Sequence, residues 1–380
     1  MIRETMTPNE RLWSAIRLEQ PDRVPIVPTL CPEPAARLNG LPLAAVARDG
    51  RLAVDVAFRV FDEYGGWENP YPAVYTPAGM QIANIFPMRM RIPGKDLGEN
   101  DVYQVEEQEI LKPEDYDRIA EAGTDPFYYE DYLWRITDIR REALGEALQT
   151  FFEALDYFIA ECTRRDTHPF FGGYSLHPFF MLSLMRSLVP FTQDLYYNPE
   201  PVERALQRMT ADVIAKQIPT IKQSGLKMWV LVEERASGAL YPPAVADRFW
   251  WPYTRQIVDA CWSEGIVTVF HLDQCWDKNI AQFRQLPRGS AVLELDSTTN
   301  IFAAKEAVGG HLCLHGDVPA ALLSIGTPEG VSAYCRRLID EVGIGGGFIL
   351  GSGCSVPADV TPENFRAMIQ TGKTYEPSKR

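Results

Sequence analysis

The chain has 380 residues, 46% of them hydrophobic, and a formal net charge of −14 from 51 acidic and 37 basic side chains. This length is enough for a large buried core, and the excess of negative charge excludes nucleic acids and other polyanions as the main partners. Seven cysteines without disulfide spacing, a start that lacks the apolar core of a signal peptide, and the absence of a long apolar run predict a cytoplasmic protein without a membrane span.

The N-terminal third predicts one helix, one strand and an irregular insertion. Thr7 and Pro8 supply a hydroxyl N-cap and a proline at the first helical position, so a helix is predicted from there through RLWSAIRLEQ. RVPIVPTL (23–30) predicts the first strand. Residues 65–112 combine glycine, proline and aromatic residues, which predicts an irregular β-containing insertion rather than a linker. The acidic segment 99–122 is predicted to be solvated surface.

The rest of the chain alternates between predicted strands and helices. A long helix is predicted over 147–165, and PFFGGYSLHPFF (169–180) predicts a strand leading into a Gly-Gly turn. Five short apolar runs follow, at 226–234, 266–275, 291–296, 311–317 and 347–354. Helices are predicted near 200–223, 242–264, 277–286, 300–308 and 328–342. This alternation is typical of parallel α/β folds. We therefore expect a TIM (β/α)8 barrel with an elaborated N-terminal region, formed by residues 1–380 as a single domain.

Each of the five apolar runs ends on chemically capable residues. These are Glu233 and Glu234, His271, Asp273 and Cys275, Asp296, Asp317, and Cys354. The carboxyl ends of barrel strands form the active site, so one rim is predicted to collect carboxylate, imidazole and thiol groups, which are ligands of transition metals. The alternative for the carboxylates is structural, as salt bridges at the mouth or, for Asp317, as a helix cap.

His271 and Asp273 are two residues apart, so their side chains point the same way on an extended segment. Cys275 joins them only if the strand continues for two more residues. Cys354 follows Gly-Ser-Gly, where the backbone turns tightly or lets a ligand approach. The alternatives are a hydrogen-bonded core histidine and a small buried cysteine.

Together, Glu233, His271 and Cys354 make a zinc set with one coordination position open, as in catalytic zinc sites. As ligands, His271 and Cys354 are expected at adjacent strand ends, and His271 and Asp273 are the predicted catalytic residues. The sequence contains no dinucleotide-binding glycine motif, P-loop, GxSxG elbow or HExxH motif. GIGGG (343–347) precedes a strand rather than opening a helix, so it does not predict a dinucleotide site.

Four segments of the chain resemble the uroporphyrinogen decarboxylase superfamily. They are TPNERLWSAIRLEQPDRVPIVP near the N-terminus, YPPAVADRFWWPY (241–253), HGDVPA (315–320) and GSGCSVPADVTPENFRAMI (351–369). The chain looks most like the corrinoid-dependent branch, which includes methylcobamide:coenzyme M methyltransferases and the methyltransferases of O-demethylase systems. The resemblance implies a TIM barrel. VPTLCPEPAARLNG stands where uroporphyrinogen decarboxylases carry an RxAGRY-type segment, so porphyrinogen decarboxylation is not favoured.

The resemblance also implies a metal centre. The thiol methyltransferases of the family hold zinc with a His-x-Cys pair and a distant Cys. Here His271 and Cys354 stand at matching places, Glu233 matches an acidic strand end, and Asp273 replaces the first Cys. An oxygen-bearing ligand set leaves the metal more Lewis-acidic toward an ether oxygen than two thiolates would. The replacement therefore favours methyl ether cleavage, with Asp273 either binding the metal or acting as a general acid.

The corrinoid (cobalamin) that the resemblance implies is expected on a separate partner protein, because the cobalamin-anchoring DxHxxG motif is missing from this chain. The expected donor is a methoxylated aromatic compound or another small methyl ether. Tyr174 and His177 are the predicted substrate contacts, in an apolar pocket lined by their aromatic segment and by IANIFPMRM (82–90). The alternatives are methyl transfer from a methylcorrinoid to a thiol or folate, uroporphyrinogen decarboxylation, and a non-catalytic ligand-binding barrel. A homodimer is compatible with each of them.

Overall fold

The structure is a computed structural model that describes residues 4–72 and 74–377. Within these residues the strands are β1 (Arg89–Arg91), β2 (Gln104–Glu106), β3 (Gly173–Leu176), β4 (Met228–Glu233), β5 (Val267–Leu272), β6 (Ala291–Leu295), β7 (Cys313–Val318) and β8 (Phe348–Ser352). The α-helices of the N-terminal half are α1 (Pro8–Ile16), α2 (Pro32–Leu38), α3 (Leu43–Arg48), α4 (Gly50–Glu63), α5 (Pro77–Ile82), α6 (Asp115–Ala122), α7 (Thr124–Phe127), α8 (Leu133–Ile136) and α9 (Leu144–Arg164).

The α-helices of the second half are α10 (Pro178–Arg186), α11 (Leu188–Tyr197), α12 (Pro199–Ser224), α13 (Pro243–Phe249), α14 (Trp251–Ser263), α15 (Ile301–Val308), α16 (Ala320–Ile325), α17 (Pro328–Glu341) and α18 (Pro362–Thr374). Short 3-10 helices cover Arg141–Ala143 and Ile280–Gln285, and a π-helical turn covers Tyr128–Tyr132.

Strands β3 to β8 form one parallel sheet in the order of the sequence. Helical segments connect the strands, and β4, β6, β7 and β8 are buried at every residue, as expected when helices cover one face and side chains fill the other. The register pairs His271 of β5 with Glu294 of β6, and Glu294 with His315 of β7. These three residues therefore form one row on the same face of the sheet.

Two segments of the N-terminal region close the sheet into a ring. The first, residues 25–29, lies beside β8, and the backbones of Pro25 and Val27 exchange hydrogen bonds of 2.9 Å with Leu350. The second, residues 68–70, joins the first to β3: the amide of Glu68 donates to the Ile26 carbonyl at 3.0 Å, and the amide of Phe170, just before β3, donates to the carbonyl of Pro70 at 3.0 Å. The architecture is a TIM-type barrel with an elaborated N-terminal region.

A buried ion network holds the two closing segments together. Arg11 of α1 is fully buried and donates to Asp22 and, at 2.7 Å, to Glu68. Arg23 lies 2.8 Å from the same carboxylate, whose other oxygen accepts the Ile26 amide at 2.6 Å. One carboxylate thus ties α1 and both closing segments to each other, without the regular ladder that a strand would supply.

The predicted elements of the N-terminal third are confirmed in part. The first helix starts at Pro8 with a capping box from Thr7 and Glu10, but it ends at Ile16 rather than at Gln20. Residues 23–30 form isolated bridges instead of a regular strand, because the prolines at 25 and 28 have no amide to donate. The insertion does contain β structure, namely the antiparallel pair β1 and β2.

Three further predictions needed correction. Gly172 and Gly173 stand at the start of β3 rather than in a turn after it, and a Cβ at Gly173 would lie 2.7 Å from the side-chain oxygen of Gln217 in α12. The helix predicted over 242–264 is broken at Trp250, where Pro252 cannot continue the hydrogen bonding of α13. The acidic segment is not all surface, since Asp115 is 1% exposed and forms ion pairs.

Within the described residues, helices long and apolar enough to cross a bilayer are absent.

A candidate metal centre at the barrel mouth

Three donor side chains meet at the carboxyl end of the barrel strands. The Cys354 thiol donates to Asp273 Oδ2 at 3.2 Å, and its sulfur lies 3.5 Å from His271 Nε2. His271 Nε2 also lies 3.5 Å from Asp273 Oδ1. The three ligand atoms are all within 4.8 Å of one another, and among the described residues they are the one group of three such donors that could share an ion.

The two parts of this group come from opposite sides of the barrel. His271 and Asp273 stand at the end of β5, whereas Cys354 follows β8, three strands further along the sheet. The expectation of adjacent strand ends was therefore wrong. Closure of the sheet brings the residues together, because the ends of all strands converge on one mouth.

The turn after β8 presents the thiol. Cys354 has a φ of 68°, in the left-handed region that residues other than glycine seldom adopt. The Ser352 hydroxyl donates to the Cys354 carbonyl at 2.6 Å and accepts the Thr29 amide at 3.3 Å. Gly351 leaves no room for a side chain, since a Cβ there would lie 2.7 Å from the Val27 carbonyl oxygen. The first closing segment therefore fixes the turn that carries Cys354.

A buried carboxylate behind the group orients His271. Glu294 is 1% exposed and lies 3.2 Å from His271 Nδ1. Its oxygens accept hydrogen bonds from the hydroxyls of Thr29, at 2.8 Å, and Tyr71, and His315 Nδ1 lies 3.6 Å away. With Nδ1–H directed at Glu294, the Nε2 of His271 faces Cys354 and Asp273. The charged residue inside AVLELD was a signal for Glu294, whereas Tyr71 lies in an irregular segment that gave no such signal.

Burial and charge shift the pKa values of these groups in opposite directions. Burial alone would lower the pKa of His271, but Glu294, Cys354 and Asp273 outweigh burial and hold that pKa well above its usual value. Burial would raise the pKa of Glu294, but His271 and His315 hold it well below its usual value. Burial raises the pKa of Asp273 and of the Cys354 thiol. His271 and Glu294 therefore form a charged pair, and beside it Asp273 and the Cys354 thiol keep their protons to a higher pH than usual.

The geometry fits a zinc ion. Tetrahedral zinc with ordinary bonds to nitrogen, oxygen and sulfur places its ligand atoms about 3.4–3.6 Å apart. The His271 Nε2–Cys354 Sγ separation of 3.5 Å matches that. Asp273 presents Oδ1 to His271 at 3.5 Å and Oδ2 to Cys354 at 3.2 Å, and with one oxygen of Asp273 the three ligand atoms lie within 4.8 Å of one another. The imidazole, carboxylate and thiol are zinc ligands by type, and Glu294 provides the carboxylate–histidine contact common around such ions. All three residues are half-buried, which leaves a side open to the mouth.

The structure does not bring Glu233 into this group, so the predicted ligand set needs correction. Oε1 of Glu233 accepts the amides of Arg235 and Ala236 at 2.9 and 3.0 Å, and Oε2 lies 3.3 Å from His177 Nδ1. Burial raises the pKa of Glu233 to about 8. The chain turns directly after β4, so the amides of Arg235 and Ala236 need a hydrogen-bond acceptor, and Glu233 supplies it.

His177 is a structural residue of the same cluster. It is fully buried, and its Nδ1 accepts the Phe179 amide at 3.1 Å at the start of α10. Its Nε2 lies 3.2 Å from the Thr254 hydroxyl, which donates to the Trp250 carbonyl. Burial lowers the pKa of His177 to about 3. The prediction that His177 contacts substrate therefore conflicts with its position beneath the surface.

The remaining strand-end residues have separate surroundings. Cys275 lies outside the group of three donors. Asp296 accepts the Gln274 amide at 3.0 Å, and Asp317 belongs to β7 and accepts the Tyr334 hydroxyl at 2.9 Å instead of capping a helix. Glu234 is half-buried, and its pKa is raised to about 7 by burial and then by the charge of Asp273.

Tyr174 lines a cavity of about 720 Å³ beside β3. The cavity brings together residues 83–85 and 171–176, which belong to the two aromatic segments expected to form an apolar pocket. Burial raises the pKa of Tyr174, whose hydroxyl is also within electrostatic range of His271 and Cys354. The role of Tyr174 as a substrate contact stays a prediction.

Comparison with known proteins places these features in a family. Residues 122–375 match the uroporphyrinogen decarboxylase (URO-D) family, which is more than half of the chain. The chain belongs to the uroporphyrinogen decarboxylase family. The matched residues include all six strands of the parallel sheet and the three donors at the mouth.

Relatives within the uroporphyrinogen decarboxylase family carry two kinds of name. The methylcobamide:CoM methyltransferase MtbA of Methanosarcina acetivorans is 23% identical over 180 residues, which cover 47% of this chain and 51% of the relative. MtbA of Methanosarcina mazei is 25% identical over 179 residues, with the same coverage. A uroporphyrinogen decarboxylase of Neisseria meningitidis is 30% identical over 141 residues, 35% of this chain and 38% of the relative. The chain spans about half the length of the MtbA relatives it matches.

A solved structure shares the fold over nearly the full length. A methyltransferase from Methanosarcina mazei superimposes with a TM-score of 0.69 at 17% identity, covering 97% of this chain and 98% of the other. The N-terminal elaboration is therefore part of the shared architecture, although the sequence match begins only at residue 122.

Proposed function

We propose that the protein is a corrinoid-dependent methyltransferase that moves a methyl group from a small methyl ether to the cobalt of a separate, cytoplasmic corrinoid protein. The observation that carries the proposal is the His271–Asp273–Cys354 group at the mouth of the barrel. The similarity of the chain to methylcobamide:CoM methyltransferases supports the reaction class. We also propose that residues 1–380 act as one domain.

In this proposal His271, Asp273 and Cys354 hold a zinc ion. A bound zinc would supply Lewis acidity toward the ether oxygen of the donor. Glu294 keeps the Nδ1–H of His271 engaged, so that Nε2 remains the donor atom at the site. The half-buried position of the three residues excludes part of the solvent, which strengthens their interaction with charge that develops on the substrate.

The chemical task of the protein is to help oxygen leave. When the methyl–oxygen bond breaks, the methyl carbon goes to the nucleophilic cobalt of the partner and the oxygen keeps the electron pair. An alkoxide or phenoxide leaves poorly unless its charge is neutralised. Glu234, whose pKa is about 7 because of burial and the neighbouring Asp273 charge, can hold the proton that the departing oxygen takes. Asp273 can do so where it is not a metal ligand, because burial raises its pKa also.

A second candidate is methyl transfer from a methylcorrinoid to a thiol. The observation in its favour is the similarity of the chain to proteins named methylcobamide:CoM methyltransferases. Against it stands Asp273, because two thiolates suit a zinc that activates a thiol, whereas Asp273 supplies an oxygen ligand. The two candidates therefore differ in the ligand at position 273.

The test compares both directions of transfer in wild type and in two variants. Reduced corrinoid protein and a panel of methyl ethers should give methylcorrinoid absorbance, and Cys354→Ala should reduce the rate at least about a hundredfold if the metal supplies most of the charge stabilisation. Asp273→Cys should lower ether cleavage and raise the demethylation of methylcorrinoid by 2-mercaptoethanesulfonate. Consumption of uroporphyrinogen without any methyl transfer would overturn the proposal.

A further inference from the structure

The cavity beside β3 lies between two helices on the outer side of the barrel. An apolar stripe of α9, formed by Leu148, Phe152, Leu155 and Ile159, lines one side of the cavity, and α12 lines the other with apolar residues such as Met209 and Val213 among polar ones. The spacing of three and four residues puts the stripe on one side of α9. Phe152 is 54% exposed and Ile159 is 40% exposed. Helices that flank a barrel strand usually bury such stripes against each other. Here the stripe of α9 is partly exposed, so it is available to a ligand.

The charged residues of the cavity lining are paired with one another, which favours a neutral ligand. It contains four charged residues, and each has an ion-pair partner within the lining: Lys216 lies 2.7 Å from Asp125, and Arg208 lies 2.9 Å from Asp212. The remaining lining is mostly aromatic and aliphatic. An ionic ligand would lose its hydration without gaining a partner, whereas a neutral aromatic molecule would lose little. The volume of about 720 Å³ is in the range of small-molecule sites.

Two tyrosines of the cavity lining pack against each other beside β3. The rings of Tyr75 and Tyr174 are 5.4 Å apart, and the Tyr75 ring also lies 6.5 Å from Phe151 of α9. Tyr174 belongs to β3, and its carbonyl accepts Gln217 of α12 at 3.1 Å. Both tyrosines line the cavity. The register pairs Leu176 of β3 with Val232 and Val232 with His271, so Tyr174, two residues before Leu176, lies on the same face of the sheet as His271. Tyr174 therefore joins the cavity beside β3 to the face of the sheet that carries the metal centre.

We infer that this cavity binds the methyl donor, a neutral aromatic ether, and admits it to the metal centre from the side, past Tyr75 and Tyr174. The inference rests on the proposed function. A macromolecular corrinoid partner needs the mouth to bring its cobalt near His271, so a donor that used the same opening would compete with it. A lateral site lets the donor and the partner bind at the same time.

The binding test uses the full chain without any corrinoid protein, and anisole (methoxybenzene) as the probe in ligand-observed NMR and calorimetry. Val213→Trp fills the cavity from α12 and should weaken anisole binding at least about tenfold. Ala211→Trp adds the same ring to an exposed position of α12 outside the lining and should leave binding unchanged. 4-Methoxybenzoate should bind at least about tenfold more weakly than anisole. Leu155→Trp fills the cavity from α9 and replaces Val213→Trp if circular dichroism shows that variant to be unfolded.

The transfer test separates the inference from the proposed function. Val213→Trp should raise the KM for the ether, with no change in zinc affinity, and Ala211→Trp should match wild type in both. Anisole binding that Val213→Trp abolishes, in a protein that methylates no corrinoid, would support the site and overturn the methyltransferase proposal. Methyl transfer with the same KM in both tryptophan variants, or the absence of anisole binding to wild type, would overturn the lateral site.

Discussion

At the scale of single residues, Glu294 is the side chain whose removal tests how the metal centre is oriented. It is buried behind His271 and accepts hydrogen bonds from Thr29 and Tyr71. Glu294→Gln should lower zinc affinity by about 10–100-fold, because the carboxylate no longer fixes the orientation and tautomer of His271. Competition with a chromophoric chelator measures the affinity, and nitrogen-15 NMR of the zinc-loaded protein reports the tautomer of His271.

The control for this variant is Glu234→Gln, since Glu234 stands near the centre without a hydrogen bond to His271 in the described contacts. That change should lower zinc affinity less than Glu294→Gln does, because it removes a nearby charge but no contact that orients His271. An unchanged tautomer and unchanged affinity in Glu294→Gln would show that packing alone orients His271.

Glu233 gives a prediction about stability and pH. In the folded protein its pKa is about 8 because of burial, against an ordinary value of 4.5. The folded state thus holds a proton that the unfolded chain releases, so the free energy of unfolding should fall as pH rises from about 5 to 9. Glu233→Gln keeps a donor toward His177 Nδ1 and an acceptor for the two amides. It should remove on the order of a few kcal/mol of that pH dependence.

Urea unfolding of wild type and Glu233→Gln at several pH values measures the effect as a difference between the two proteins. The comparison matters because Asp317 and Glu234 also have pKa values raised to about 7, chiefly by burial. Parallel pH profiles would mean that Glu233 is ionised in the folded protein. An additional loss of zinc affinity in this variant would return Glu233 to the ligand set.

The orientation of side chains was predictable where the residues belong to one extended segment. The two-residue spacing of His271 and Asp273 fixed their common orientation, and the structure places their donor atoms 3.5 Å apart. The carboxylates could not be assigned this way, because Glu233 and Glu234 end the same strand and face different surroundings. Only the fold shows that Glu233 is enclosed with His177 while Glu234 lies near Asp273.

At the scale of elements, the closing segments depend on ion pairs rather than on strand ladders. Arg11→Met leaves Glu68 and Asp22 with fewer partners in a buried site, and should lower the free energy of unfolding by about 3 kcal/mol. Arg204→Met removes a half-exposed pair with Asp117 and serves as the control, with an expected loss below about 1 kcal/mol. Equal losses measured by urea unfolding would contradict a special role for the buried network.

Helices and strands of the second half were predictable because apolar periodicity and caps agree there. Thr361 and Pro362 signalled the start of α18, and the runs that became β4 to β8 are mostly apolar. The closing segments were harder, since residues 25–27 reach their barrel positions through a few backbone hydrogen bonds and tertiary contacts. Local sequence carries little information about such contacts.

At the scale of the whole molecule, the order of strands around the barrel decides which residues meet. The sequence separates His271 and Cys354 by 83 residues, and the order of the strands alone does not place β5 opposite β8. These two strands face each other because the N-terminal segments close the sheet. A centre assembled in this way joins distant parts of the chain, so it exists only in the folded protein.

That dependence predicts that zinc stabilises the fold. Zinc that binds the folded state and not the unfolded chain should raise the free energy of unfolding by about 2.7 kcal/mol at a free concentration one hundred times its Kd. Thermal unfolding with and without zinc measures this increase, which Cys354→Ala should abolish. Cys275→Ala, which removes a half-buried thiol outside the group, should keep it. A zinc-dependent increase of the same size in Cys354→Ala would place the ion elsewhere in the molecule and would remove the main support for catalysis at the barrel mouth.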